Sequence, residues 1–83
     1  MTKKEIMEII EATANTLNNG EYDVNDELTD KLVYANRERN EEYGDAGVII
    51  EKDKNGKIYT YVDSGECYPT RFTAEEFAES FAR

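Results

Sequence analysis

Between two β-rich runs, Val48 to Lys52 and Lys57 to Val62, stands the tetrapeptide Asp53-Lys54-Asn55-Gly56. Runs of β-branched and aromatic residues on either side of an Asn-Gly turn signal specify a hairpin. A hairpin also determines which side chains share a face, because the pleat alternates with a period of two. If Asn55-Gly56 were a two-residue turn, Ile50 would oppose Tyr61 and Val48 would oppose Asp63, mixing apolar and polar groups on both faces. A type I turn with Gly56 in a left-handed bulge instead pairs Ile50 with Thr60 and Val48 with Val62. Val48, Ile50, Ile58 and Val62 then lie together, and Tyr59 and Tyr61 join Ile49 on the opposite face. The bulged loop is therefore expected.

Helical signals flank the hairpin. Thr2 and Glu5 form the capping box T-x-x-E, and Ile6, Ile9, Ile10, Thr13 and Leu17 follow at helical spacing, with a stop expected near Asn18-Asn19-Gly20. After a short acidic link, Asn25 caps a second helix whose first turn holds Asp26 and Glu27 against the positive end of the dipole. Leu28, Leu32 and Ala35 make its apolar seam, which Arg39 and Tyr43 continue. The run from Asn36 to Glu42 is polar on every side and is expected to project into solvent or fray, before Gly44 and Gly47 release the chain. Asp63-Ser64-Gly65-Glu66 reads as a second turn. Cys67 to Phe72 reads as a short edge strand, because Pro69 cannot donate to a ladder. Thr73 and Glu76 repeat the capping box, with Phe72 and Phe77 spaced as a hydrophobic staple. Phe77 and Phe81 are expected to dock on the sheet, where Ala74, Ala78 and Ala82 permit close approach. The sum is one α+β domain over residues 1–83: two N-terminal helices, a hairpin extended to an antiparallel sheet of two or three strands, and a short C-terminal helix.

An 83-residue chain buries only about 60–65% of the surface its unfolded form exposes, so a deep substrate cleft is not expected. There is no His and no Trp, and the lone Cys67 has no partner within the chain for a disulfide. No signal-like or membrane-spanning apolar run is present, and a cytosolic location is expected. Acid–base and nucleophilic catalysis ask for a positioned base, usually His. The carboxylate pairs Glu41/Glu42 and Glu75/Glu76 read as solvated helix faces, and Cys67 has no activating neighbour. No enzyme is expected. Asp53-x-Asn55 and Asp23-x-Asn25-Asp26 open like calcium loops, yet Gly56 arrives early in the first and the second lacks its Gly. Turn chemistry and helix capping account for these residues, and no metal or cofactor is expected.

Charge is distributed unevenly. Acidic residues outnumber basic ones by 19 to 10, and nine of the acids, Glu21, Asp23, Asp26, Glu27, Asp30, Glu38, Glu41, Glu42 and Asp45, fall in one stretch that holds only Lys31, Arg37 and Arg39 in opposition. Such a surplus disfavours direct binding to nucleic acid or anionic membrane, and favours a protein partner with a basic surface. On the second helix Asp26, Asp30 and Glu41 lie opposite the apolar seam, flanked by Glu27, Glu38 and Glu42. Carboxylates one helical turn apart are separated by roughly 6 Å, close to the spacing of successive phosphates along a strand. The same residues also read as solubilising charge on an exposed helix, and Arg37 and Arg39 interrupt the row. Six tyrosines exceed what a core of this size requires. Tyr59 and Tyr61, on the face away from Val48 and Ile50, are therefore candidate contacts, either for a foreign partner or for a second copy of the chain.

A short, strongly acidic, cytosolic α+β chain without catalytic equipment resembles the small phage-encoded inhibitors of bacterial defence, the anti-CRISPR and antirestriction proteins. The resemblance lies in size, charge and element order over the whole chain. It implies a non-catalytic inhibitor that imitates the charge layout of DNA and blocks the nucleic-acid-binding surface of a defence nuclease, with a CRISPR effector as the leading candidate and a restriction enzyme as the alternative. It assigns no role to any single residue.

Overall fold

The computed structural model describes residues 1–33, 47–63 and 69–82. Helix α1 spans Lys3–Ala14, strand β1 Tyr22–Asn25, a one-turn helix α2 Asp26–Leu28 that widens into a π-type turn over Thr29–Val33, strand β2 Gly47–Lys52, strand β3 Ile58–Asp63 and helix α3 Ala74–Phe81. The strands form one antiparallel sheet in the order β1-β2-β3. The class is α+β.

Both capping boxes are formed. The Thr2 hydroxyl accepts from the Glu5 N–H at 3.2 Å while a Glu5 carboxylate oxygen accepts from the Thr2 N–H at 3.1 Å, and Thr73 and Glu76 reproduce the exchange at 3.2 and 3.0 Å. These backbone hydrogen bonds hold the Glu5 and Glu76 carboxyls below their ordinary pKa, since each stabilises the ionised form. α1 ends at Ala14, earlier than the sequence suggests. Two tighter i→i+3 bonds carry the chain on to Leu17, and the left-handed Gly20 (φ +86°) occupies the third position of the turn Asn18–Glu21.

The hairpin takes the bulged register. Val48 pairs with Val62 and Ile50 with Thr60, Gly56 sits at φ +84°, and the Gly56 N–H closes the turn on the Asp53 carbonyl at 3.0 Å. The Asp53 carboxylate accepts from the Asn55 and Lys57 amides at 2.9 and 2.8 Å, so this side chain serves the turn, as expected.

Helices α1 and α3 pack on each other and on the sheet face that carries Val48 and Ile50. Ile6, Ile10, Ala14, Leu28, Val48, Ile50, Phe77 and Ala78 are fully buried there, with Ile58, Val62, Phe72 and Phe81 packed at the margin. The Phe77 and Phe81 rings lie 4.6 Å apart between centroids, an arrangement that adds roughly 0.5–1.5 kcal/mol beyond area burial.

Three expectations need correction. The segment read as an acidic link is strand β1, with Asp23 opposite Ile50 and Val24 opposite Ile49. The third strand is therefore supplied from the N-terminal side. On the C-terminal side Pro69 to Arg71 take no strand, and Phe72 makes a single bridge to Thr60, while Cys67 lies outside the described residues. The second helix does start at its Asn25 cap, whose side-chain oxygen accepts from the Leu28 N–H at 2.8 Å, but after Leu28 it widens. Leu28, Thr29, Leu32 and Val33 are all buried as a result, a broader apolar face than a regular helix would bury. Ala35, Arg39, Tyr43 and the polar run between them lie outside the described residues.

Candidate functional site

The acidic stretch begins on a sheet edge. In the antiparallel ladder the Lys52 N–H donates to the Glu21 carbonyl at 2.8 Å, so Glu21 and Asp23 turn their backbone groups toward β2, and Tyr22 and Val24 turn theirs outward. The Val24 N–H is taken up by the Asp23 carboxylate of its own strand, at 2.8 Å. On the far side of the sheet the outward backbone of Thr60 bonds Phe72, at 2.8 and 3.1 Å. Among the described residues, β1 is the edge left open.

β1 is tied down where it ends. The Asn25 amide donates to the Thr13 hydroxyl at 2.9 Å, anchoring the strand to α1. Just beyond, the buried Thr29 hydroxyl donates to the Asn25 carbonyl at 2.7 Å and accepts from the Val48 N–H at 2.9 Å. A hydroxyl thus takes the place of a ladder bond at the point where the chain turns out of the sheet. This splice fixes the direction in which the acidic turn leaves β1.

From Glu21 to Asp30 the chain carries five carboxylates, Glu21, Asp23, Asp26, Glu27 and Asp30, and no Lys or Arg. All five residues are exposed. Glu27 pairs with Lys31 at 3.1 Å, whereas Asp26 and Asp30 have no ion-pair partner among the described residues. The wide turn places Leu28, Thr29, Leu32 and Val33 inward and keeps Asp26 and Asp30 outward, as the sequence predicts for those two acids. Glu38, Glu41, Glu42 and Asp45 lie outside the described residues.

The second candidate surface is the sheet face away from α1 and α3. Two cross-strand rows run along it, Val24–Ile49–Tyr61 and Tyr22–Glu51–Tyr59. Exposure rises from its centre toward β1: Ile49 is 5% and Tyr61 8% exposed, against 46% for Val24 and 67% for Tyr22. Tyr61 is therefore largely enclosed. The Arg71 guanidinium stacks 5.1 Å from its ring centroid and donates to the Glu51 carboxylate at 3.2 Å. Burial, seconded by the negative charge of Glu51, pushes the Tyr61 phenol up, and Glu51 likewise raises the Arg71 guanidinium. Tyr59 is half-buried, with the Lys57 ammonium 5.2 Å from its centroid.

Of the predicted contact residues, Tyr59 and Tyr61 do lie on one face, but the accessible groups on that face are Tyr22 and Val24. Neither was singled out from the sequence. The alternation Tyr22-Asp23-Val24-Asn25 is a period-two signal that points to them, obscured by the acidic composition around it. Through β1 the acidic stretch and the tyrosine face meet along one edge. Comparison with protein-family models, with curated proteins and with solved structures finds no match for this chain. Among the described residues, no helix is long and apolar enough to cross a membrane.

Proposed function

We propose that this chain is a non-catalytic inhibitor that occupies a basic, nucleic-acid-binding surface of a bacterial defence nuclease through the acidic border of its sheet. The observation that supports this reading is the unbroken series of exposed carboxylates from Glu21 to Asp30, held on a strand edge and a turn whose backbone is fixed by Thr29 and Asn25. A rigid anionic rim meets a cationic groove without the entropic cost of ordering a loop, and long-range attraction speeds the encounter. The partner class comes from the resemblance to small acidic anti-defence proteins. The test is titration of a panel of purified CRISPR effectors and restriction enzymes, with displacement of their DNA as the readout. Expected is a complex whose affinity falls at least about tenfold between low and physiological salt. Failure of every effector to bind at low salt removes this reading.

A second reading is favoured by the exposed Tyr22 and Val24: an adaptor that binds through the tyrosine-bearing face, as a homodimer or to another protein. Sedimentation over a range of concentrations separates the two. Salt-resistant self-association lost in Tyr22→Ala and Tyr59→Ala variants supports the adaptor, and a monomer at all concentrations removes its homodimeric form.

A further inference from the structure

We infer that β1 is a docking edge for β-strand addition by an extended basic segment of the partner, in which Lys or Arg alternates with apolar residues. The inference rests on the reading that the partner is basic, and names how it is gripped. Tyr22 and Val24 present their N–H and C=O groups outward, which gives an incoming antiparallel strand up to four main-chain hydrogen bonds. Residues of that strand opposite Tyr22 and Val24 would project onto the outer face. There the partly exposed Val24 and Tyr22 flank the buried Ile49, so apolar side chains fit at those positions. The intervening residue of the added strand would face Asp23, with Glu21 on the same side of the chain two residues before it, so a cation fits there.

Charge decides between occupants. Two-fold pairing of β1 with a second copy, through the outward groups of Tyr22 and Val24, sets Asp23 directly against Asp23 of the other chain. That happens in a non-hydrogen-bonded pair, where side chains approach most closely, and like charges so placed are destabilising. A basic strand converts the same position into an attraction. In the free protein the Asp23 carboxylate accepts from the Val24 N–H, which satisfies the edge donor and blunts nonspecific strand pairing. Docking exchanges that bond for the incoming carbonyl and frees the carboxylate to meet the arriving cation.

The test uses a blocked peptide of alternating Lys and Val with the intact chain, followed by amide hydrogen exchange. Saturating peptide is expected to slow exchange of the Tyr22 and Val24 amides at least about tenfold. Peptide N-methylated on its Val residues, whose N–H groups would face β1, should bind at least about tenfold more weakly. The same peptide N-methylated on its Lys residues, with equal charge, should retain affinity. No binding, binding without slowed exchange at Tyr22 and Val24, or equal affinity of the two methylated peptides overturns the inference. Strand addition that persists when no nuclease in the panel binds leaves the edge standing and removes only the nuclease target; a nuclease complex formed without slowed exchange at Tyr22 and Val24 does the reverse.

Discussion

Two buried threonine hydroxyls show how much depends on single polar atoms in a core this small. Thr29 is doubly bonded, to the Asn25 carbonyl and the Val48 amide, and is 6% exposed. Thr29→Val keeps the shape and leaves both backbone groups without that partner, a loss of about 1–3 kcal/mol. Chemical denaturation should show it as a lower midpoint at unchanged slope. Thr60 is the opposite case: it is fully buried, and its hydroxyl has no hydrogen-bond partner among the described residues. Thr60→Val removes an unpaired polar atom from the core and should be neutral or stabilise by up to about 1 kcal/mol, read as an unchanged or raised melting temperature. At the same scale, the enclosed Tyr61 phenol keeps its proton above the ordinary tyrosine value, because burial and Glu51 both oppose the phenolate. Its folded pKa is raised, so its contribution to stability is complete below the unfolded pKa of about 10 and is lost as the pH rises through the folded value. Denaturation above pH 10 or so should release a tyrosine that the native protein holds protonated, visible in phenolate absorbance.

Among the elements, α3 is the best specified and the most exposed to chemical test. Its box joins Thr73 to Glu76, and its buried face is Phe77 and Ala78. Thr73→Ala should cost about 0.5–2 kcal/mol through the orphaned amide of the first turn. The Glu5 and Glu76 carboxyls are held below their ordinary values by backbone hydrogen bonds, so the stability they contribute is present above the unfolded carboxylate pKa and is lost as the pH falls through the lowered folded one. Native stability should therefore decline as the pH drops below about 4. A Glu76→Gln variant, whose amide oxygen still accepts the bond, should show a shallower decline. The contrast between elements follows interaction range. Capping boxes and the Asp53–Gly56 turn close over a few residues, and the local chain contains all the groups that form them. β1 does not: Tyr, Val, Asp and Asn in alternation are equally consistent with a link or an edge strand, and only β2 provides the partner that selects the strand. The widened turn at Thr29 depends in the same way on Val48, nineteen residues away, whose amide needs an acceptor.

For the whole molecule the consequence is a division of labour between two sheet faces. One face is filled by α1 and α3, and the other slopes from the buried Ile49 out to the exposed Tyr22 at the acidic edge. If that edge is the contact surface, replacing Asp23, Asp26 and Asp30 with Lys should abolish binding to a basic target and its salt dependence together, while circular dichroism stays near that of the parent and the melting temperature falls modestly, because Asp23 accepts from the Val24 N–H and Asp26 faces the positive end of the α2 dipole. Unchanged inhibition in that variant would remove the acidic edge from the mechanism.

The amino-acid sequence by itself determined the α+β class, the bulged hairpin and its register, both capping boxes, the Asn25 cap and the core positions Ile6, Ile10, Phe77 and Ala78. Each follows from turn chemistry, capping or periodicity within one or two elements. It also located the surplus of negative charge. Only the tertiary structure decided that the acidic link becomes β1, that Tyr61 is enclosed by Arg71 while Tyr22 and Val24 are exposed, and that charge and tyrosines share one edge. The physical reason is that a strand earns its conformation from a neighbour distant in sequence. Its burial and open backbone are properties of the assembled sheet, and no local pattern of residues encodes them.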